Sequence, residues 1–378
     1  MSLKETLTRR WWRLQDDLFP AAEEDLGPLS EKHKKLITVL DVACVERFLP
    51  YAHGLVGRPL VERTALARAF VAKAVFNLPT TRILIDHLQG DIRLRRLCGW
   101  ERRRDVPHES TFSRAFAEFA TSNLPARIHE ALIKATLGTM IVCHIARDGT
   151  AIEAREKPVR TPKKAKPKKK LGRPRKGETA APPEPTQIQR QMTMTLSEML
   201  AALPKHCNAG CKRNSNGNTE VWIGYSFHID TADGDIPVSA ILTSAALHDS
   251  QSAIPLATMT AQRVTSLYDL MDAAFDDPNI RKKSRDLGHI PLIDINPRRN
   301  AALAAEIERE TKAKNKLNFQ TAEDVRYNQR SSAERVNSNL KDNFGGRHVR
   351  VRGHSKVYNH LMFGLLSIAA LQIMRLVT

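Results

Sequence analysis

Cysteine is scarce in this chain: five in 378 residues, odd in number and widely scattered. That argues against the paired framework of a small secreted domain. Long apolar runs are also missing. The longest, Leu361 to Leu371, stops short of the ~20 residues that a membrane span needs. The first twenty residues mix Lys4, Arg9, Arg10, Arg13, Asp16 and Asp17 without an apolar stretch, so no secretory leader is expected. There are no internal repeats, no phosphate-binding Gly-rich loop and no His-Glu-x-x-His, which removes the usual signs of a solenoid, a P-loop enzyme or a zinc protease. Acid is in deficit: 41 Asp plus Glu against 59 Lys plus Arg leave +18 and a pI near 9.9. Such an excess asks for a polyanionic partner, nucleic acid or an anionic membrane surface. Hydrophobic content, 42%, is ordinary. The length suggests two or three domains at about 150 residues each. The expectation is a soluble, cytoplasmic, nucleoid-associated protein that handles nucleic acid and not membrane.

Much of the charge is local. Lys157 to Lys176 holds eleven Lys or Arg and no acid, interrupted by Pro158, Pro162, Pro167 and Pro174. A segment of this kind repels itself and has nothing to bury, so Lys157 to Pro185 reads as a disordered basic tether. It belongs to an insert of about 157–218. Within it, Gly172-Arg173-Pro174-Arg175-Lys176 resembles the core of an AT-hook, which would lay Arg173, Arg175 and Lys176 into a minor groove.

Residues 1–139 read as an all-helical domain for DNA binding or dimerisation. Pro59-Leu60-Val61-Glu62 opens a helix to Phe76, with proline in the first turn. Thr80 to Leu88, Ile92 to Leu97 and Leu124 to Leu137 are further helices. Phe112, Phe116 and Phe119 share one face of another. The basic turns Arg93, Arg95, Arg96, Arg102, Arg103 and Arg104 are candidates for a DNA groove.

The pattern changes in residues 140–378. Met140 to Ala146, ending in Arg147-Asp148, reads as a buried strand. Val221 to Ile229 alternates, Asp233-Gly234 is a hairpin turn, and Ile236 to Leu242 returns. A helix over Ser250–Gln262, a strand over Ser266–Met271 and a helix over Pro278–Leu287 follow. Ile290–Ile293 is a fifth strand, a long helix surrounds Glu334, and Leu361–Leu376 is a core helix. Strand, strand, strand, helix, strand, helix, strand, helix is the order of a ribonuclease H-like fold: an α/β mixed sheet flanked by helices.

Chemistry on phosphodiesters commonly uses two divalent metals held by carboxylates from different elements. In a ribonuclease H-like sheet the first and fourth strands are neighbours. Asp148 at the end of the first and Asp272 just after the fourth would then meet, and Glu334 could close the site. Asp276, Asp277 and Asp294 compete for the second place, and Asp272 is preferred because it directly follows the apolar strand. Tyr327, Arg330, Glu334 and Lys341 fall within about a 60° arc of one helix, with Ala333, Val336, Leu340 and Phe344 opposite. In the competing reading Ser331 caps the helix, Glu334 is its capping-box partner, and Tyr327 and Arg330 lie outside. His206, Cys207 and Cys211 cluster without a second pair at zinc-finger spacing, so no zinc is expected.

Tyr327-x2-Arg330-x3-Glu334-x6-Lys341 resembles the Tyr-Arg-Glu-Lys signature of bacterial insertion-sequence DDE transposases. Asp148-Gly149-Thr150, Leu270 to Asp276, Trp222-x-Gly224-Tyr225 and His248-Asp249-Ser250 resemble that family's other motifs, in the right order over about 105–378. Phe275 stands where a tyrosine is usual, and the basic insert is not general in the family. The resemblance implies DNA cleavage and strand transfer, with Asp148, Asp272 and Glu334 holding two Mg2+ ions, Mn2+ being able to substitute. One ion would activate a water and then a 3′-hydroxyl, and the other would stabilise the leaving oxygen. It further implies that Lys341 and Arg330 grip phosphates, that Tyr327 meets a displaced nucleotide, and that a homodimer acts on terminal inverted repeats and target DNA. The rivals are a transposase-derived protein that only binds DNA and a ribonuclease H-like nuclease without strand transfer.

Overall fold

The computed structural model describes residues 2–49, 62–159, 184–213, 217–298 and 300–377. Its amino-terminal part is helical: α1 (Leu3–Trp12), a π-helical turn, α2 (Phe19–Leu26), α3 (Glu31–Ala43), α4 (Arg63–Val75), α5 (Thr81–Gly90), α6 (Ile92–Cys98), α7 (Glu109–Thr121) and α8 (Leu124–Thr136). Side-chain caps start several of them. Ser2 and Glu5 form a capping box, Thr80 accepts from Ile83 N at 3.1 Å, and Asp91 from Arg93 N at 2.9 Å. The phenylalanine stripe of α7 is buried as its spacing predicts. Phe70 of α4 is its hub, with ring centroids 6.0, 4.9 and 6.2 Å from Phe112, Phe116 and Phe119. Two expectations change here. Glu62 is not helical, so α4 opens at Arg63, while Pro59–Val61 lie outside the described residues. Arg95 is buried, and its guanidinium donates to the carbonyls of Leu88, Gln89 and Glu101, so it ties a turn together and is not offered to DNA.

The sheet has six strands: β1 (Ile141–Glu153), β2 (Asn208–Arg213), β3 (Thr219–Ala232), β4 (Ile236–Ser244), β5 (Thr265–Met271) and β6 (Ile290–Ile293). Its order is β2-β3-β1-β5-β6, with β4 also on β3. β1 runs antiparallel to β3 and parallel to β5, and β5 runs parallel to β6. The first strand is longer than its apolar run suggests. Its ladder with β5 ends at Ala146↔Leu270, but β3 carries it on to Glu153, so Asp148 lies inside the strand and not at its end. The start of β1 is not buried either, for Ile141 and Cys143 are exposed. β3 and β4 are joined by three residues, with Gly234 and Asp235 both at positive φ. Gly224 is needed where it is, because a β-carbon there would run into the Ile152 carbonyl of β1.

The insert is more ordered than its composition suggests. Residues 160–183 lie outside the described residues, and the AT-hook-like Arg173, Arg175 and Lys176 with them. From Gln187 onward come α9 (Gln187–Gln191), α10 (Leu196–Ala202) and β2. Ile188 and Met199 are buried, in one apolar cluster with Met271, Phe275 and Ile293.

The remaining helices are α11 (Ser250–Ala261), α12 (Pro278–Asp286), α13 (Ala301–Leu317), α14 (Ala322–Tyr327), α15 (Ser331–Asn343) and α16 (His354–Met374). By length and composition α16 could cross a membrane, but 89% of its apolar window is buried inside the protein. It packs on α3, α4, α7, α8 and β4, so one hydrophobic core runs from Leu7 to Met374 and joins the helical part to the sheet.

Candidate active site

Alternation along three parallel strands sets the site. Tyr268, Leu270 and Asp272 point to one face, as do Leu292 and Asp294, and Ala146 and Asp148 share it. The β1–β5 register, continued from Ala146↔Leu270, puts Asp272 level with Asp148. The β5–β6 register, continued from Met271↔Ile293, puts Asp294 level with Asp272. α15 lies over this face. Its Ala333, Val336 and Leu340 and the following Phe344 are buried, and Ala333 clusters with Ala146 and Leu270.

Asn337 of α15 donates from Nδ2 to Asp148 Oδ2 at 2.9 Å, while its own Oδ1 is buried without a hydrogen-bond partner among the described residues. Burial pushes the Asp148 carboxyl above the usual carboxylate range. Lys212 of β2 and the Gly149 N–H pull it back, and Asp272 and Asp249 add to the push. Gly149 leaves room for this crowding, since a β-carbon there would stand 2.9 Å from His228 Nδ1 and 3.1 Å from Asp249 Oδ1.

The rival aspartates are engaged elsewhere. Asp276 accepts from Arg281 and Asn296 N, and Asp277 caps α12 through Asn279 N at 2.8 Å. Asp294 accepts from the Tyr327 hydroxyl at 2.6 Å. Asp272 accepts only from Ala274 N, at 2.9 Å, among the described residues.

The four-residue stripe is carried by α14, a 3₁₀ turn at Asn328–Arg330, and α15. The tighter 3₁₀ winding means that the 100° arithmetic does not carry across from Tyr327. Ser331 does not cap α15. It is helical, and its hydroxyl donates to the Asn328 carbonyl while accepting from Arg335. Arg330 Nη2 donates to Glu334 Oε1 at 2.8 Å. Burial opposes its charge, but Tyr327, Glu334, Asp148 and Asp272 together hold its pKa above the ordinary value. Burial, and then the bond to Asp294, raise that of Tyr327. Burial, Arg347 and Lys212 lower that of Lys341, with Asp148 pulling the other way. Lys341 faces a groove of about 600 Å³ beside Glu153, Trp222 and Arg347.

The site is therefore a row of acids under a helix that carries both base and acid. Asp148 and Asp272 come together. Glu334 is on the covering helix but turned to Arg330, and among the described residues no three His, Cys, Asp or Glu stand close enough to hold an ion. Asn337 and Lys212 escaped the sequence reading of the site, since nothing in their spacing marks them, and Asp249 is marked only within the His248-Asp249-Ser250 motif, without a place beside Asp148.

Beneath the acids, on the other face, Arg147 makes a bidentate pair with Asp230 at 2.8 and 2.7 Å, both side chains fully buried. Asp230 also accepts from Thr260, while neighbouring Asp269 accepts from Ser284 and faces His289.

A family model described as Transposase DDE domain matches residues 143–369, more than half of the chain. The chain belongs to the DDE transposase family. A second model, described as Transposase domain (DUF772), matches residues 22–118 of this transposase. No curated protein and no solved structure matches it. Membership makes the chain a DNA-cleaving and strand-transferring enzyme that depends on a divalent metal, and its mixed sheet is the ribonuclease H-like domain of such transposases.

Proposed function

We propose that this transposase cuts and rejoins DNA at insertion-sequence ends with Asp148, Asp272 and Glu334 as its catalytic carboxylates. The observation that carries the reading is the level placement of Asp148 and Asp272 on adjacent parallel strands under α15. An all-oxygen donor set beside the unpartnered Asn337 Oδ1 fits a hard divalent cation, Mg2+ with Mn2+ as substitute. Such ions, when bound, supply Lewis acidity to the attacking and leaving oxygens. The chain's own part is positional. β1 and β5 fix two carboxylates, Asn337 orients Asp148, and Arg330 holds Glu334. Lys341 and Arg330 face DNA phosphates, and Tyr327, oriented by Asp294, packs against a nucleotide.

In this reading residues 1–139 bind ends or pair subunits, and residues 140–378 carry the chemistry. The enzyme works at the nucleoid as a homodimer on terminal inverted repeats and target DNA. The basic run containing Arg173, Arg175 and Lys176 gathers DNA by charge. The test is incubation of end duplexes and a target plasmid with Mg2+. Joined products support the reading. Nicking without joining selects a plain nuclease, and binding without nicking selects an inactive DNA-binding protein.

A further inference from the structure

A second basic feature lies away from the acids, where the helical part meets the carboxy-terminal segment. A cavity of about 620 Å³ is lined by Lys73, Arg82, Arg155, Arg350, Arg352 and Lys356, with Glu109 as its one acid and Phe70 and Phe116 among its apolar lining. Cations elsewhere are commonly paired, Arg63 with Glu118, Arg68 with Glu46, Arg347 with Asp342. None of these six makes an ion pair among the described residues. Lys73 is 8% exposed and has neither an ion pair nor a side-chain hydrogen bond there. Burial alone lowers its pKa to about 8.

Backbone adds to the charge. The amino ends of α5, at Thr80 to Arg82, and of α16, at Lys356, line the same space, and no side chain caps α16. Helix amino ends favour anions. One wall is held together by its own bonds: Arg352 Nε donates to the Arg155 carbonyl at 3.1 Å, and Gly353 N to Glu156 Oε1 at 2.8 Å. A mostly buried lysine whose unpartnered ammonium opens on the cavity, five further cations and two helix amino ends make a site for a polyanion.

We propose that this cavity grips backbone phosphates of duplex DNA, held between α4, α5 and α7 on one side and Arg155 with the Arg350–Lys356 segment on the other. It rests on the strand-transfer reading only in taking duplex DNA as the polyanion. Arg350 and Arg352 are exposed and can be changed without opening the core.

The experiment measures random-sequence duplex binding to the full chain across a salt series in EDTA. It uses the parent, the Arg350→Ala/Arg352→Ala double variant, Lys73→Met, Lys73→Arg, and a Lys282→Ala/Arg285→Ala control on α12. Losing two phosphate contacts should flatten the slope of log affinity against log salt by about 2 units, and losing Lys73 by about 1, with Lys73→Arg retaining it. Binding in EDTA is read without cleavage, so a failed catalytic reading would not touch this result. An unchanged slope in the double variant overturns the proposal, and so does equal flattening by the control pair. Inorganic pyrophosphate bound through Lys73, with the duplex slope unaltered, would assign the cavity to a small anion and overturn it as well.

Discussion

Continued two residues past its last pair, Ala146↔Leu270, the parallel β1–β5 register sets Asp272, just after β5, level with Asp148 inside β1. At that level β5 has given way to a 3₁₀ turn, while β1 is still held by β3. The two carboxylates therefore share one face at the open end of the ladder, where Asn337 of α15 reaches Asp148.

That placement has an energetic consequence. Burial raises the Asp148 pKa above its unfolded value, so the folded state carries a penalty for the charged form at neutral pH. Asp148→Asn should raise the melting temperature in metal-free buffer at pH 7. The gain should fade as pH falls from the raised folded value and vanish below ~4, where the carboxyl is neutral in both states. Thermal melts of both proteins across pH check this, and a pH-independent difference would contradict it.

The buried Arg147 is the counterweight below the acids. Arg147→Met leaves Asp230 and Asp269 without their cation, and breaking such a pair costs about 3–5 kcal/mol. Urea unfolding should show that loss. A loss below ~1 kcal/mol would mean that water compensates for the missing guanidinium.

Lys73 should behave in the opposite sense to a structural cation. Its depressed pKa destabilises the fold below pH 8, by up to about 3 kcal/mol. Lys73→Met should therefore melt higher at pH 7, with the gain fading as pH rises from about 8 towards the unfolded value. Together with weaker DNA binding, that would be a residue kept at the expense of stability. A lower melting temperature for the variant would contradict the assignment.

The stripe gives a fourth prediction. Lys341→Ala and Arg330→Ala should each weaken end complexes by about 1.5–3 kcal/mol, the worth of a charge-assisted hydrogen bond. Gel shifts at limiting protein measure it. Affinity equal to the parent's in both variants would reduce the stripe to a solvated face.

The sequence shows some of this and hides the rest for physical reasons. Alternation and apolar runs located β1, β3, β4, β5 and β6, and the phenylalanine spacing located α7, because those patterns arise from burial on one face. β2 reads Asn-Ala-Gly-Cys-Lys-Arg and has no such pattern, so Lys212 could not be aimed at Asp148. α13 buries no residue, so it has no apolar face to detect. Asp272 could be preferred over Asp276 from its position after the strand. Asn337 could not be found, since only register and helix rotation bring it to Asp148, and Asp249, though part of the His248-Asp249-Ser250 motif, carries no local sign of its approach to Asp148. Nor does anything local in His354–Met374 say that it packs on α3, α4 and α7, which is why the cavity around Lys73 has no sequence signature.

The central claim is that Asp148, Asp272 and Glu334 carry the chemistry, and cleavage of a labelled end duplex in Mg2+ by single alanine variants tests it most directly. Asp148→Ala, Asp272→Ala and Glu334→Ala should lose cleavage while binding the duplex in EDTA like the parent, and Asp276→Ala should still cleave. Parental cleavage by Asp272→Ala, with loss in Asp276→Ala or Asp294→Ala, would place the second carboxylate elsewhere and contradict the account.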